Sequence, residues 1–427
     1  MLKLGSSIFL FASAAVTLSC QPKMKTFSLP FHPPPLEQTK RETEMMAEKI
    51  KASVQVVDPL LQEVINTGTR NLAWQKHINL HRGPGNEISF TDPSSNQGGI
   101  PIDSPKIYNP ELIRNDYDKQ VAGLPPEMKA VLLQNKAFTD DIPVELETYR
   151  KWGRALDRAY QIAIRWESYQ PYMEYLLEAR KNDIRGYHDL IKINDLEQKL
   201  KNYSQLNPDE QDRIKRDLAG ICINVNKDKD PFVTCTQELN SQTPTGDLSS
   251  FYSKYFTPAK MHYDSYFKIE VLRPDVSWST QDPMHLKDMK VPFLHPGKNE
   301  FYHFLKDNLE DEWHWTGFQL IMDFKNTSPI DIPHLEFVAG AMPHVDAVGG
   351  NIITMDGNSS LSEFEVNWII RHEYGHVLGF PDCYLEFFDT EKKAIISYQI
   401  DVTNIMCSRA GHVGDIHAHE LIKAYRK

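Results

Sequence analysis

Arg371-His372-Glu373-Tyr374-Gly375-His376-Val377-Leu378-Gly379-Phe380-Pro381-Asp382 is the stretch on which the rest of the chain can be organised. Residues four apart on a helix project from one face a turn apart, so His372 and His376 can bind one zinc ion. Glu373, beside the first histidine, can reach a water on that ion without occupying it. The surrounding run Ser362 to Leu378 has helical character. Ser362 with Glu365 fits a capping box at its start, and Ser359 and Ser360 are further caps. At the other end Gly379 can adopt the left-handed conformation that stops a helix, and Pro381 forbids continuation. The chain therefore turns sharply after His376, and Asp382 can come back toward the metal as a third ligand. Glu386, Glu391 and His412 are the competing third ligands.

Around this stretch the pattern is one of short strands interleaved with helices. Tyr266 to Leu272, Gly317 to Phe324, Leu335 to Ala339 and Asn351 to Met355 have strand character. Glu300 to Asp311 and Asp415 to Tyr425 are helical. The expected unit is α+β and covers residues 246–427, a sensible size for one domain. Residues 41–245 are expected to be mostly helical and of unknown role. Glu42 to Thr67 has helical spacing interrupted by Pro59, Gly83 to Pro126 has little periodicity, and helical patterns follow over Ala130 to Leu133, Leu146 to Tyr172, Tyr175 to Leu190 and Leu196 to Tyr203. Asn207-Pro208 opens another helix. Trp152, Tyr160, Trp166, Tyr169 and Tyr172 are spaced as a core-facing stripe.

The 427 residues carry 47 basic and 58 acidic side chains, a formal charge of −11. That balance gives nucleic acid no global electrostatic pull, and no dense basic run offsets it. Apolar stretches long enough for a bundle of spans, each about 20 residues, are missing from the sequence. Residues 1–19 read as an export signal: Lys3, then an almost uninterrupted apolar run from Leu4 to Leu18. The segment Val16-Thr17-Leu18-Ser19-Cys20 resembles a relaxed bacterial lipoprotein signal, which implies a lipid on Cys20 that holds the protein on the cell envelope, the alternative being an ordinary signal with a chance cysteine. Residues 20–40, with Pro30, Pro33, Pro34 and Pro35, make a tether.

The long motif resembles that of the metzincin zinc metallopeptidases, H-E-x-x-H-x-x-G-x-x-H followed by a methionine-containing turn. Here Asp382 stands at the last motif position, as in the snapalysin-like branch, and Asn404-Ile405-Met406-Cys407 fits the turn. The resemblance covers residues 295–427. It implies a twisted mixed sheet with an active-site helix and a C-terminal helix, one catalytic zinc held by His372, His376 and Asp382, and Glu373 as general base in peptide-bond hydrolysis. It also implies a protein or peptide substrate lying extended along an edge strand, in the place of Gly349 to Met355. The position two residues after the turn methionine, where the family sometimes has Tyr, is Ser408. Tyr398, Arg409 and His412 are then the possible oxyanion donors.

Four cysteines remain if Cys20 is lipidated, an even number suited to disulfides in an exported protein. Cys222 and Cys235 flank a polar loop, whereas Cys383 and Cys407 directly follow Asp382 and Met406, and a bond between the latter two would brace the metal site. Three pairings are open, and Cys222 could instead block the zinc of a latent precursor. A contrasting function, an envelope adhesin with a purely structural zinc, leaves Glu373 without a purpose.

Overall fold

The computed structural model describes residues 57–82, 86–90, 99–280, 287–328, 330–338, 343–357 and 364–426. The export signal, Cys20, the tether, the helix start before Val57 and the serine caps at 359, 360 and 362 lie outside the described residues. The chain from Val57 onward forms one unit of mixed α and β structure with three apolar clusters.

The first cluster is built on helix α1 (Gln62–Arg82), which begins after Pro59 and extends well past the expected Thr67. Strand β1 (Lys106–Tyr108) is followed by α2 (Pro110–Gly123), α3 (Pro126–Leu132) and the long α4 (Leu146–Tyr169). Asn109 caps α2 through its side chain, and a proline opens each of α2 and α3 where no backbone N–H is required. Tyr149, Gly153, Leu156, Ala159, Ala163 and Trp166 give α4 a buried stripe that packs on α1. The expected aromatic stripe is divided: Trp166 is buried, Trp152 and Tyr169 are half-buried against this core, and Tyr172 is exposed.

The second cluster is wholly helical. The expected single helix over Tyr175 to Leu190 is instead α5 (Met173–Ala179), a 3-10 turn over Arg180–Asn182 and α6 (Arg185–Leu190). The break has a long-range cause: Asp183 turns extended, and its carboxylate takes hydrogen bonds from Arg185 and from the Tyr398 hydroxyl at 2.9 Å. Then come α7 (Leu196–Lys201), α8 (Pro208–Val225), α9 (Pro231–Gln242) and α10 (Ser249–Ser265). A Cys222–Cys235 disulfide ties α8 to α9 inside this core, so the Cys222 thiol is not held in reserve for a metal.

The third cluster holds the candidate site. Strands β2 (Ser277–Thr280) and β3 (Lys287–Leu294) are followed by α11 (Asn299–Glu312), β4 (His314–Trp315) and β5 (Phe318–Lys325), giving a sheet of order β2-β3-β5-β4 in which β3 and β5 run parallel. A second sheet has β6 (His334–Val338) parallel to β8 (Ile352–Asp356), with β7 (His344–Val345) antiparallel on the other side of β8. The segment expected to offer a free edge is therefore central, and β7 is an outer strand. Helix α12 (Phe364–Val377) carries the motif, and β9 (Tyr384–Asp389), β10 (Ala394–Gln399) and α13 (Asp415–Tyr425) complete the chain. Strand β1, from near residue 107, pairs antiparallel with β10 and closes a third sheet. Tyr266 to Leu272 forms no strand. Glu270 N–H instead meets the Gly379 carbonyl at 2.8 Å, so this segment lines the end of α12.

Candidate metal centre

Helix α12 presents His372 and His376 inward, both almost fully buried. It ends as its residues require. Gly379 has φ +94°, and the N–H groups of Gly379 and Phe380 bond back to the carbonyls of His376 and Gly375 at 2.9 and 3.0 Å, the paired bonds of a Schellman motif. A Cβ on Gly379 would also run into the Val271 carbonyl. With Pro381 next, the chain doubles back and brings Asp382 over the helix face.

The result is a three-atom cluster. The Oδ1 atom of Asp382 lies 3.2 Å from Nε2 of His372 and 3.2 Å from Nε2 of His376. On the far side of each ring Nδ1–H donates to a backbone carbonyl, that of Ile405 at 2.7 Å for His372 and that of Phe380 at 2.9 Å for His376. A carbonyl can only accept, so in the neutral rings both Nε2 lone pairs point at the carboxylate. The second of these carbonyls is available because the Schellman turn delivers it. Asp382 Oδ1 is itself buried and has no hydrogen-bond donor satisfying it. Three acceptors converging at this spacing match the roughly 3.3 Å separation of ligand atoms around a tetrahedral zinc. These residues could hold a metal ion.

Electrostatics agree with that donor set. Burial pulls the His376 imidazole down, but the Asp382 carboxylate outweighs it and raises the pKa to about 9, so a proton is the competitor for the position. Burial opposes ionisation of Asp382, and the two imidazoles overcome it, holding the carboxyl far below its usual range. Glu373, buried beside His372, is near enough for its charge to add to the shift of His376.

Met406 is buried and packs against α12 at Gly375, next to Ile405, whose carbonyl holds His372. A Cβ at Gly375 would overlap the Met406 Sδ and press on the Trp313 ring at 3.0 Å, so a larger residue there would force the methionine to shift. The Trp313 indole N–H meets the Arg371 carbonyl at 3.1 Å. Asn404 Oδ1 accepts from Met406 N–H at 2.8 Å and from His417 Nε2 at 2.9 Å. Cys383 bonds to Cys407, and Cys383 N–H donates to the Met406 carbonyl at 3.1 Å, so the strand after Asp382 is fastened to this turn as expected.

The competing third ligands are engaged elsewhere. Glu386 accepts from Arg165, Tyr169 and Ser397, Glu391 pairs with Arg180, and His412 pairs with Glu312 at 3.2 Å. Tyr398 is buried, and its hydroxyl is engaged by Asp183 at 2.9 Å. Sequence reasoning missed Gly375, Trp313, His417 and Tyr384, whose ring lies 6.3 Å from that of His372. Gly375 and Tyr384 carried a signal, being inside the motif and two residues beyond Asp382. Trp313 and His417 carried none, since their role rests on distant partners. Comparison with family models, curated proteins and solved structures finds no match to this chain.

Proposed function

We propose that the chain is an exported zinc-dependent endopeptidase of metzincin type, with His372, His376 and Asp382 as ligands and Glu373 as general base. The observation that carries the reading is the convergence of two oriented Nε2 atoms on a buried carboxylate oxygen, 3.2 Å from each, beside a buried glutamate. A bound zinc lowers the pKa of water and polarises the substrate carbonyl. The protein supplies the remainder. His372 and His376 are held by the Ile405 and Phe380 carbonyls, which fixes ring orientation and ligand basicity. Glu373 takes the proton of the attacking water and delivers it to the leaving amine nitrogen. Tyr384 puts a phenol beside His372 as an oxyanion donor.

Outer strand β7 packs against α12, and Gly349 N–H meets the His376 carbonyl at 2.7 Å. An extended substrate adding along β7 would be held through main-chain bonds whatever its side chains. Two disulfides suit an oxidising compartment, in keeping with export and a lipid at Cys20. The test is Glu373→Ala assayed on denatured casein with zinc content measured in parallel. Loss of cleavage with zinc retained is expected, and equal cleavage by both proteins rejects the reading.

A further inference from the structure

A second pair of histidines four residues apart lies far from the motif in sequence, at the end of α1. Arg70, Trp74, His77 and His81 are spaced 4, 3 and 4 residues apart and therefore form one stripe along that helix. Each of the first three fastens the loop between α3 and α4. The Arg70 guanidinium donates to the Val131 carbonyl at 2.6 Å and to the Lys136 carbonyl, and lies over the Phe138 ring at 4.8 Å. The Trp74 indole N–H donates to Thr139 Oγ1 at 3.2 Å. His77 touches Phe138, with ring centroids 5.7 Å apart, and its Nε2 is 2.9 Å from Asp140 Oδ1. His81 completes the stripe, its Nε2 3.9 Å from the same oxygen.

The chemistry of this end differs from that of an ordinary ion pair. His81 Nδ1–H donates to the His77 carbonyl at 3.0 Å, which leaves the Nε2 lone pair of the neutral ring directed toward Asp140. The two imidazole nitrogens and the carboxylate oxygen all lie within 4.8 Å of one another, and the measured separations of 2.9 and 3.9 Å bracket the roughly 3.3 Å between ligands of a tetrahedral zinc. His81 stands in the last turn of α1, where the helix dipole favours a cation. A divalent ion would displace the single proton that joins His77 to Asp140. Imidazole with carboxylate selects first-row transition ions over calcium or magnesium.

We infer that His77, His81 and Asp140 form a second zinc-type site, which clamps the 133–141 loop onto α1 and leaves its remaining positions to water. Nothing in the proposed hydrolysis uses it, and the test distinguishes failure of this site from failure of that reading. The full-length protein, stripped with chelator, is titrated with zinc and analysed for bound metal alongside H77A/H81A and H372A/H376A. Hydrogen exchange of the 133–141 amides is followed in the same samples. Two zinc ions per chain are expected for the wild type and one for each double variant. Zinc should slow exchange of the loop in the wild type and in H372A/H376A but not in H77A/H81A. The milder Asp140→Asn change should weaken this site about tenfold without touching the other. Zinc lost only in H77A/H81A would support the clamp while removing the peptidase reading. Unchanged stoichiometry in H77A/H81A, or equal loop protection by calcium, overturns the clamp.

Discussion

Helices α1 and α12 both present histidines four residues apart to an aspartate from a loop later in the chain, yet the two surroundings differ in burial and in how many of the rings are held by the backbone. At α12 the histidine side chains are 3% and 11% exposed, and each ring is locked by a backbone carbonyl. At α1 they are 32% and 48% exposed, with Asp140 70% exposed. The spacing of ligands is a local property that any helix can supply. What separates the two clusters is the environment at α12: buried imidazole rings held by backbone carbonyls, a buried glutamate beside the first of them, and Met406 packed against the helix at Gly375.

The largest expected effect separates the two sites at once. Glu373→Ala should lower peptide hydrolysis by roughly 10²- to 10⁴-fold, the usual worth of a general base, with zinc content unchanged in a metal assay. Asp382→Ala should weaken zinc at the α12 site by at least ~10²-fold, about 2.7 kcal/mol, measured by competition with a chelator. Full retention of metal would return the choice of third ligand to open ground.

Acid provides the next test. His417 is buried, with Nε2–H donated to Asn404 and Nδ1 accepting Gly414 N–H, and burial lowers its pKa from 6.5 to about 4. A depressed imidazole contributes stability that is complete above the unfolded value and is lost as pH falls from about 6.5 through about 4. The difference amounts to roughly 3 kcal/mol. Urea titrations across that range should show the loss, and His417→Gln, which cannot titrate, should flatten it. Gly375→Ala should cost about 1–3 kcal/mol through overpacking against Met406 and Trp313, read as a lower thermal midpoint. The smallest effect is expected at α1, where metal-free His81→Ala should change stability by no more than about 1 kcal/mol, because a contact between two exposed side chains 3.9 Å apart contributes little.

Much of the candidate site was legible before any coordinates. The helix over 364–377, its glycine stop, the return of Asp382 and the final helix over 415–425 follow from residues close in sequence, whereas the Cys383–Cys407 bond was one of three open pairings. Their information is local: a left-handed position asks for glycine, a proline ends a helix, and a 3.6-residue period sets a face. The misreadings share the opposite property. Tyr175 to Leu190 has a helical period, but Asp183 is drawn out of it by Tyr398, 215 residues away. Tyr266 to Leu272 alternates like a strand, yet it lines the end of α12. Strand β8 reads as an edge because nothing local reveals that His344–Val345 covers its outer side.

Ligand types, their spacing and the turn that follows them are properties of a dozen consecutive residues, which is why they could be read from the order of amino acids. The tautomer of His372, the contact of Met406 and Trp313 with the helix at Gly375, and the strand that residues 106–108 contribute to β10 arise from partners that meet through chain closure. Burial and hydrogen-bond partners are set by that closure, and they are what distinguish one histidine pair in this protein from the other.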